Sequence, residues 1–176
     1  MASPWAHALA GAAVGSLYPA VPQRRRVIAL AAICAVLPDL DLIGWPLGIS
    51  PYALLGHRGL MHSIPFAVVL GIGATALLPA VSRRDRFLAG ALLALATATH
   101  SVLDALTAYA PTGPAFWAPF TNDRYRFQWQ PLTGSGGLHT DFGRELVYIC
   151  LPSLALMSVL HLIHRRAVLR PSRPPA

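Results

Sequence analysis

The chain has 176 residues, 55% of them hydrophobic and 12% charged, with a formal charge of +7. Soluble domains carry roughly 25% charged residues, so too few charges are present to clothe a globule of this size in water. The basic balance does not indicate nucleic acid either, because no nucleic-acid-binding motif accompanies it.

Every positive charge is Arg, and most fall into three clusters: Arg24-Arg25-Arg26, Arg83-Arg84-Arg86, and Arg165-Arg166 with Arg170 and Arg173. Basic clusters separated by apolar runs are the pattern that the positive-inside rule produces. Five apolar segments lie between and around them, at about 5–21, 27–43, 64–81, 87–109 and 146–163. A spanning helix needs about 20 apolar residues. The last three segments meet that length, and the first two are marginal. The first lacks a basic region ahead of it and is interrupted by His7, so it is expected to stay attached rather than act as a cleaved signal. Pro38 disfavours the helical region for Leu37, which predicts a break or an end there. The fold class expected is all-α: a multi-pass transmembrane bundle of four or five spans, one domain over 1–169, with a disordered Pro/Arg-rich tail at 170–176. Cys34 and Cys150 sit singly in apolar runs and read as buried small hydrophobes.

If the segments alternate, all three Arg clusters fall on the cytoplasmic side. The other side then receives His7, Asp39 and Asp41, His57 and His62, the end of the fourth segment with His100 and Asp104, and Glu145. Seven candidate metal ligands (His7, Asp39, Asp41, His57, His62, His100 and Asp104) thus converge on one membrane face. An intramembrane ionisable residue is expensive and is a functional hypothesis by default. Imidazole and carboxylate suit zinc, manganese or iron. His100 and Asp104, four apart, share a helix face. Asp39 and Asp41 repel unless a cation or proton intervenes.

The densest stretch is Gly56-His57-Arg58-Gly59-Leu60-Met61-His62-Ser63. Gly59 lets the backbone turn, and Ser63 suits an N-cap ahead of Ile64-Pro65. Arg58 stands where a guanidinium could hold a phosphate or carboxylate, or could pair with an Asp or a headgroup. Seven ligands exceed the need of one zinc, so one or more divalent cations per chain are expected. The chemistry expected is metal-assisted ester hydrolysis, with Asp39 or Glu145 as base and Arg58, Arg124 or Arg126 holding the anion. Glu145 also reads as a ligand or as an anion at a helix start. The 110–145 loop, rich in Pro, Gly and aromatics, reads as an interfacial lid or a plain surface loop. No Gly-x-Ser-x-Gly elbow is present, which argues against serine catalysis.

At His7, Leu37-Pro38-Asp39-Leu40-Asp41, Gly56 to Ser63, Thr99-His100-Ser101-Val102-Leu103-Asp104, Trp117-Ala118-Pro119-Phe120 and Arg124-Tyr125-Arg126-Phe127, the chain resembles the YdjM-like family of membrane-bound metal-dependent hydrolases. Leu42 stands where some relatives carry His. The resemblance implies a multi-pass membrane protein with a metal centre and hydrolase activity. A more distant similarity to the helical zinc-dependent phospholipase C and nuclease group makes a phosphoester or lipid-like substrate the favoured one. The alternatives from the residues are a non-enzymatic metal-binding membrane protein for transport, or a scaffold whose His–Asp pairs join helices.

Overall fold

The computed structural model describes residues 2–19, 22–79, 81–108, 112–133 and 142–169. The tail at 170–176, with His139 and Asp141, lies outside the described residues.

Helix α1 (Pro4–Gly15) begins at Ser3, whose side chain accepts from the Ala6 N–H, with Pro4 in the first turn. Helix α2 (Arg24–Val36) passes at Leu37 into a 3-10 helix, Leu37–Gly44. The α-helix thus ends just before Pro38, as expected, and the chain winds on as a 3-10 helix, so that the unit Arg24–Gly44 is 21 residues long. Three residues per turn places residues two apart about 120° from each other, against about 160° in an α-helix. This is how Asp39 and Asp41 come to face one site. A single 3-10 turn, Leu60–His62, precedes helix α3 (Ile64–Ala74), which Ser63 caps by accepting from the Phe66 N–H at 3.1 Å. A 3-10 turn, Thr75–Leu77, ends α3, and Ser82 caps the long helix α4 (Arg83–Ala105). The last unit is α5 (Phe142–Glu145), a π turn at Leu146–Cys150, and α6 (Leu151–Leu169).

By length and composition three helical units can cross a membrane: Arg24–Gly44, Arg83–Ala105 and Phe142–Arg166. Ile64–Leu77 is a shorter apolar helix, and α1 has only 12 residues. The molecule is thus a helical membrane bundle. Its second unit is longer than its apolar run of 27–43 because the helix begins in the Arg24-Arg25-Arg26 cluster. Its third is shorter than expected because the helix stops at Leu77.

Helix α4 is the post of the bundle, packed on α1, α2 and α3, with α1 laid along α2 and α6 resting on α1. In lipid, helices gain little from burying apolar surface against each other, so close approach of small residues does the packing. A Cβ at Gly11 would lie 2.5 Å from the Ala31 carbonyl oxygen, and one at Gly15 would lie 2.7 Å from the Ala31 methyl. A Cβ at Gly71 would meet the Ala94 backbone nitrogen at 2.4 Å. The sequence reading did not use Gly11-Ala-Ala-Val-Gly15, which was the available signal for this contact. Gly73, by contrast, has nothing within 4 Å of its would-be Cβ. Gly71→Val is expected to destabilise the protein by about 1–3 kcal/mol through overpacking, lowering its thermal midpoint in detergent, whereas Gly73→Ala leaves it unchanged. Equal midpoints for the two variants would contradict this packing.

Candidate metal centre

Two loops close the end of the bundle where α2 and α4 finish. In the loop before α3, the Gly56-His57-Arg58-Gly59 turn is tight enough that Cβ atoms at Gly56 and Gly59 would lie 2.0 Å from the Ser50 and 2.1 Å from the Leu54 carbonyl oxygens. Arg58 holds φ at +66°, the left-handed region. A non-glycine residue there stores roughly 1–3 kcal/mol of strain and persists only where its surroundings over-determine it. Here they do. The Arg58 N–H donates to Asp41 Oδ2 at 3.0 Å, its Nε lies 3.0 Å from Asp104 Oδ2, and its Nη1 donates to the Thr112 carbonyl at 2.9 Å. The second loop, 112–133, straps over the first. Ala115 N–H donates to the Arg58 carbonyl, and Arg124 donates to the carbonyls of His57 and Ala53.

Four atoms from three elements face one another inside this end. His62 Nε2 and His100 Nε2 are 3.1 Å apart; Asp39 Oδ1 is 3.3 Å from His100 Nε2 and 3.9 Å from His62 Nε2. Asp104 Oδ2 lies 3.5 Å from His62 Nε2 and 3.9 Å from His100 Nε2. Ligands about 2.0–2.1 Å from a tetrahedral zinc stand roughly 3.3 Å from each other. These separations are those of a ligand set. Asp39, His62, His100 and Asp104 are positioned to hold a metal ion, as are Asp39, Asp41, His57 and His62.

The buried atoms fit that occupant. Both oxygens of Asp39 and of Asp104 lack a hydrogen-bond partner among the described residues. The close His and Arg contacts of Asp104 are charge contacts without hydrogen-bond alignment. Three carboxylates, Asp39, Asp41 and Asp104, gather around the Arg58 guanidinium, with Arg124 near enough to act on Asp41. Carboxylates outnumber guanidiniums, a cation offsets the excess, and uncompensated charge in such a place is strongly unfavourable.

Outer contacts aim the ligands. His100 Nδ1 donates to the Ala35 carbonyl at 2.7 Å, one of the carbonyls that a helix C-terminus leaves free, and this turns the Nε2 lone pair inward. Asp41 takes His57 Nδ1 at 2.7 Å on one oxygen, and His62 Nδ1 at 3.0 Å with the Arg58 N–H on the other. It orients two histidines at once. Ser101 donates its hydroxyl to the His62 carbonyl at 2.7 Å, holding that turn against α4. Burial pushes the His62 imidazole down, and Asp104 and Asp41 more than reverse this, raising its pKa to about 9.

His7 stacks on His100, with ring centroids 3.8 Å apart, and its Nε2 lies 3.8 Å from Asp104 Oδ1. Glu145 lies outside both ligand groups. It is buried and accepts from the Ser3 N–H at 2.6 Å and from the Ser3 hydroxyl, so it fastens α5 to the start of α1. Arg124 is spent on loop carbonyls, and Arg126 is exposed. The Asp41–His57 pair is the arrangement that sequence reading passed over. The two residues stand 16 apart, and no motif in the sequence joins them. His57 Nε2 has no partner among the described residues, and its side chain is 18% exposed, while those of His7, His62 and His100 are fully buried.

The model of the YdjM inner membrane protein family matches residues 1–167. Inner membrane protein YbcI of Escherichia coli (strain K12) is 29% identical over 149 residues, covering 77% of this chain and 83% of that protein. No solved structure matches. The chain therefore belongs to the YdjM inner membrane protein family.

Proposed function

We propose that the protein is a metal-dependent hydrolase acting on a phosphoester, or another lipid-like ester, at the membrane face. The observation that carries this reading is the adjacency of the Asp39/His62/His100/Asp104 set to an oriented Asp41–His57 pair whose Nε2 has no partner among the described residues. In this reading Asp39, His62, His100 and Asp104 hold a divalent cation, zinc by the softness of two imidazoles, with manganese or iron as alternatives. The second group shares Asp39 and His62 with the first, and its other members, Asp41 and His57, are assigned here to proton transfer rather than to another cation. A cation held there supplies Lewis-acid polarisation of the ester oxygen and lowers the pKa of water.

The chain's own residues do the rest. Asp41 fixes Nδ1–H of His57, leaving Nε2 to take a proton from water and return it to the leaving group. Arg58, held by Asp104 and Thr112, orients the carboxylate of Asp104 and contributes positive charge beneath the site. His7 packs against His100 and keeps water from its far face. Glu145 is assigned an anchoring role at Ser3, not a catalytic one.

The Arg clusters open α2 and α4, at the helix ends opposite the ligands. The positive-inside rule then puts the site on the non-cytoplasmic face. Exposed Trp45, Tyr52, Trp117 and Trp129 belong to the segments at the ligand end. Aromatic side chains of this kind favour the membrane–water interface, where a headgroup ester would be met. A scaffold role is the second reading, and the buried Arg58–Asp104 pair favours it.

Two outcomes test the proposal. Metal-loaded protein is expected to hydrolyse members of a phosphoester and phospholipid panel, and His57→Gln to lose roughly 10²–10⁴-fold in kcat while keeping its metal. Full activity in His57→Gln would remove the base assignment, and no turnover in metal-loaded wild type would favour the scaffold. Loading should also depend on pH. The His62 pKa, raised to about 9, means a proton must leave for the cation to bind. Apparent affinity should weaken by up to about tenfold per unit as pH falls below 9, with proton release seen in calorimetry across buffers. Equal affinity at pH 6 and pH 8 would contradict the assignment of His62.

A further inference from the structure

A groove of about 460 Å³ runs between α3 and α4 at the end of the bundle away from the ligand cluster. Its basic mouth at Arg83 lies about 31 Å along α4 from Asp104, a full hydrocarbon thickness. Small residues hollow it out: Gly90, Ala91 and Ala94 line α4, while Val68, Ile72 and Phe87 flank them. Phe87 is 80% exposed and Ile72 63%.

Apart from Thr75, the polar groups on the lining are two guanidiniums, Arg83 and Arg86. The Thr75 hydroxyl donates to the Ile72 carbonyl, and Arg86 Nη1 donates to the Thr75 carbonyl at 3.2 Å, which fixes that guanidinium at the mouth. The Arg83 guanidinium makes no hydrogen bond or ion pair among the described residues. Asp85, the acidic residue of the same turn, accepts from the Ser82 hydroxyl at 2.8 Å. Arg83, Arg84 and Arg86 therefore outweigh it. From Arg83 to Ala94 the groove extends about 16 Å along α4, half of a hydrocarbon core of about 30 Å. That is the depth of one leaflet.

We infer that this groove is a seat for an anionic membrane phospholipid. One acyl chain lies along Gly90, Ala91 and Ala94, and the phosphate lies against Arg83 and Arg86. The apolar length selects a lipid over a soluble phosphate, and the unpaired guanidinium selects an anionic headgroup over a zwitterionic one. The seat is independent of the metal centre and stands whether or not the hydrolase reading does.

The test uses the full chain, delipidated in neutral detergent and titrated with phosphatidylglycerol, phosphatidylcholine or inorganic phosphate. Native mass spectrometry reads bound lipid, and the thermal midpoint reads stabilisation. Phosphatidylglycerol should be retained several-fold more than phosphatidylcholine, and inorganic phosphate should give no stabilisation. Arg83→Gln should reduce phosphatidylglycerol retention to the phosphatidylcholine level. Ala91→Leu, which fills the groove and leaves both arginines in place, should reduce retention of both lipids. Equal retention of the two lipids by wild type, unchanged retention in Arg83→Gln or in Ala91→Leu, or stabilisation by inorganic phosphate alone would each overturn the inference.

Discussion

Everything at the ligand end of this bundle answers to one constraint, the burial of three carboxylates around the guanidinium of Arg58. Asp41 and Asp104 are almost wholly enclosed, and Asp39 nearly so. Leaving such charge uncompensated costs several kcal/mol per ion even after relaxation. Part of the charge is met internally. Asp41 spends both oxygens on His57, His62 and the Arg58 N–H, and Arg58 gives its Nε to Asp104. What remains is a concave set of oxygens and nitrogens whose separations suit ligation better than mutual hydrogen bonding. The strained backbone of Arg58 follows from the same constraint, since its backbone and its side chain each answer one carboxylate.

The bundle serves this cluster by geometry. Close contacts at Gly11, Gly15 and Gly71 bring α1 against α2 and α3 against α4, so ligands carried on separate elements meet within a few ångströms. Helices α2 and α4 both run from an Arg cluster to the ligand end. Their C-terminal dipole ends therefore both point at the cluster, where they favour a cation. The same parallel arrangement gathers the arginines at the other end, beside the groove between α3 and α4. One topological choice thus separates a cation-seeking end from an anion-seeking end.

Much of this was legible in the chain because hydropathy and charge are strong signals in membrane proteins. The alternation of apolar runs with Arg clusters was enough to bring His7, Asp39, Asp41, His57, His62, His100 and Asp104 to one end of the bundle. The four-residue spacing of His100 and Asp104, and the Ser63 cap, could be read directly. The end of the α-helix before Pro38 could be read too. That the chain would wind on beyond it as a 3-10 helix could not. Which carboxylate the histidines and the Arg58 N–H would approach could not be read at all. Asp39 and Asp41 look alike in sequence, and only the approach of His57, His62 and the Arg58 N–H distinguishes them. Glu145 shared the correct face, but the spare donors of Ser3 took it, an encounter 142 residues apart in sequence.

The central claim is that this His–Asp set holds a divalent cation. The direct test is elemental analysis of detergent-purified protein beside a His62→Ala/His100→Ala double variant. The account predicts about one equivalent of zinc, manganese or iron per chain in wild type and loss of that metal in a variant that remains helical. Folded wild type that holds no metal even after reconstitution, or a double variant that retains it, would contradict the account.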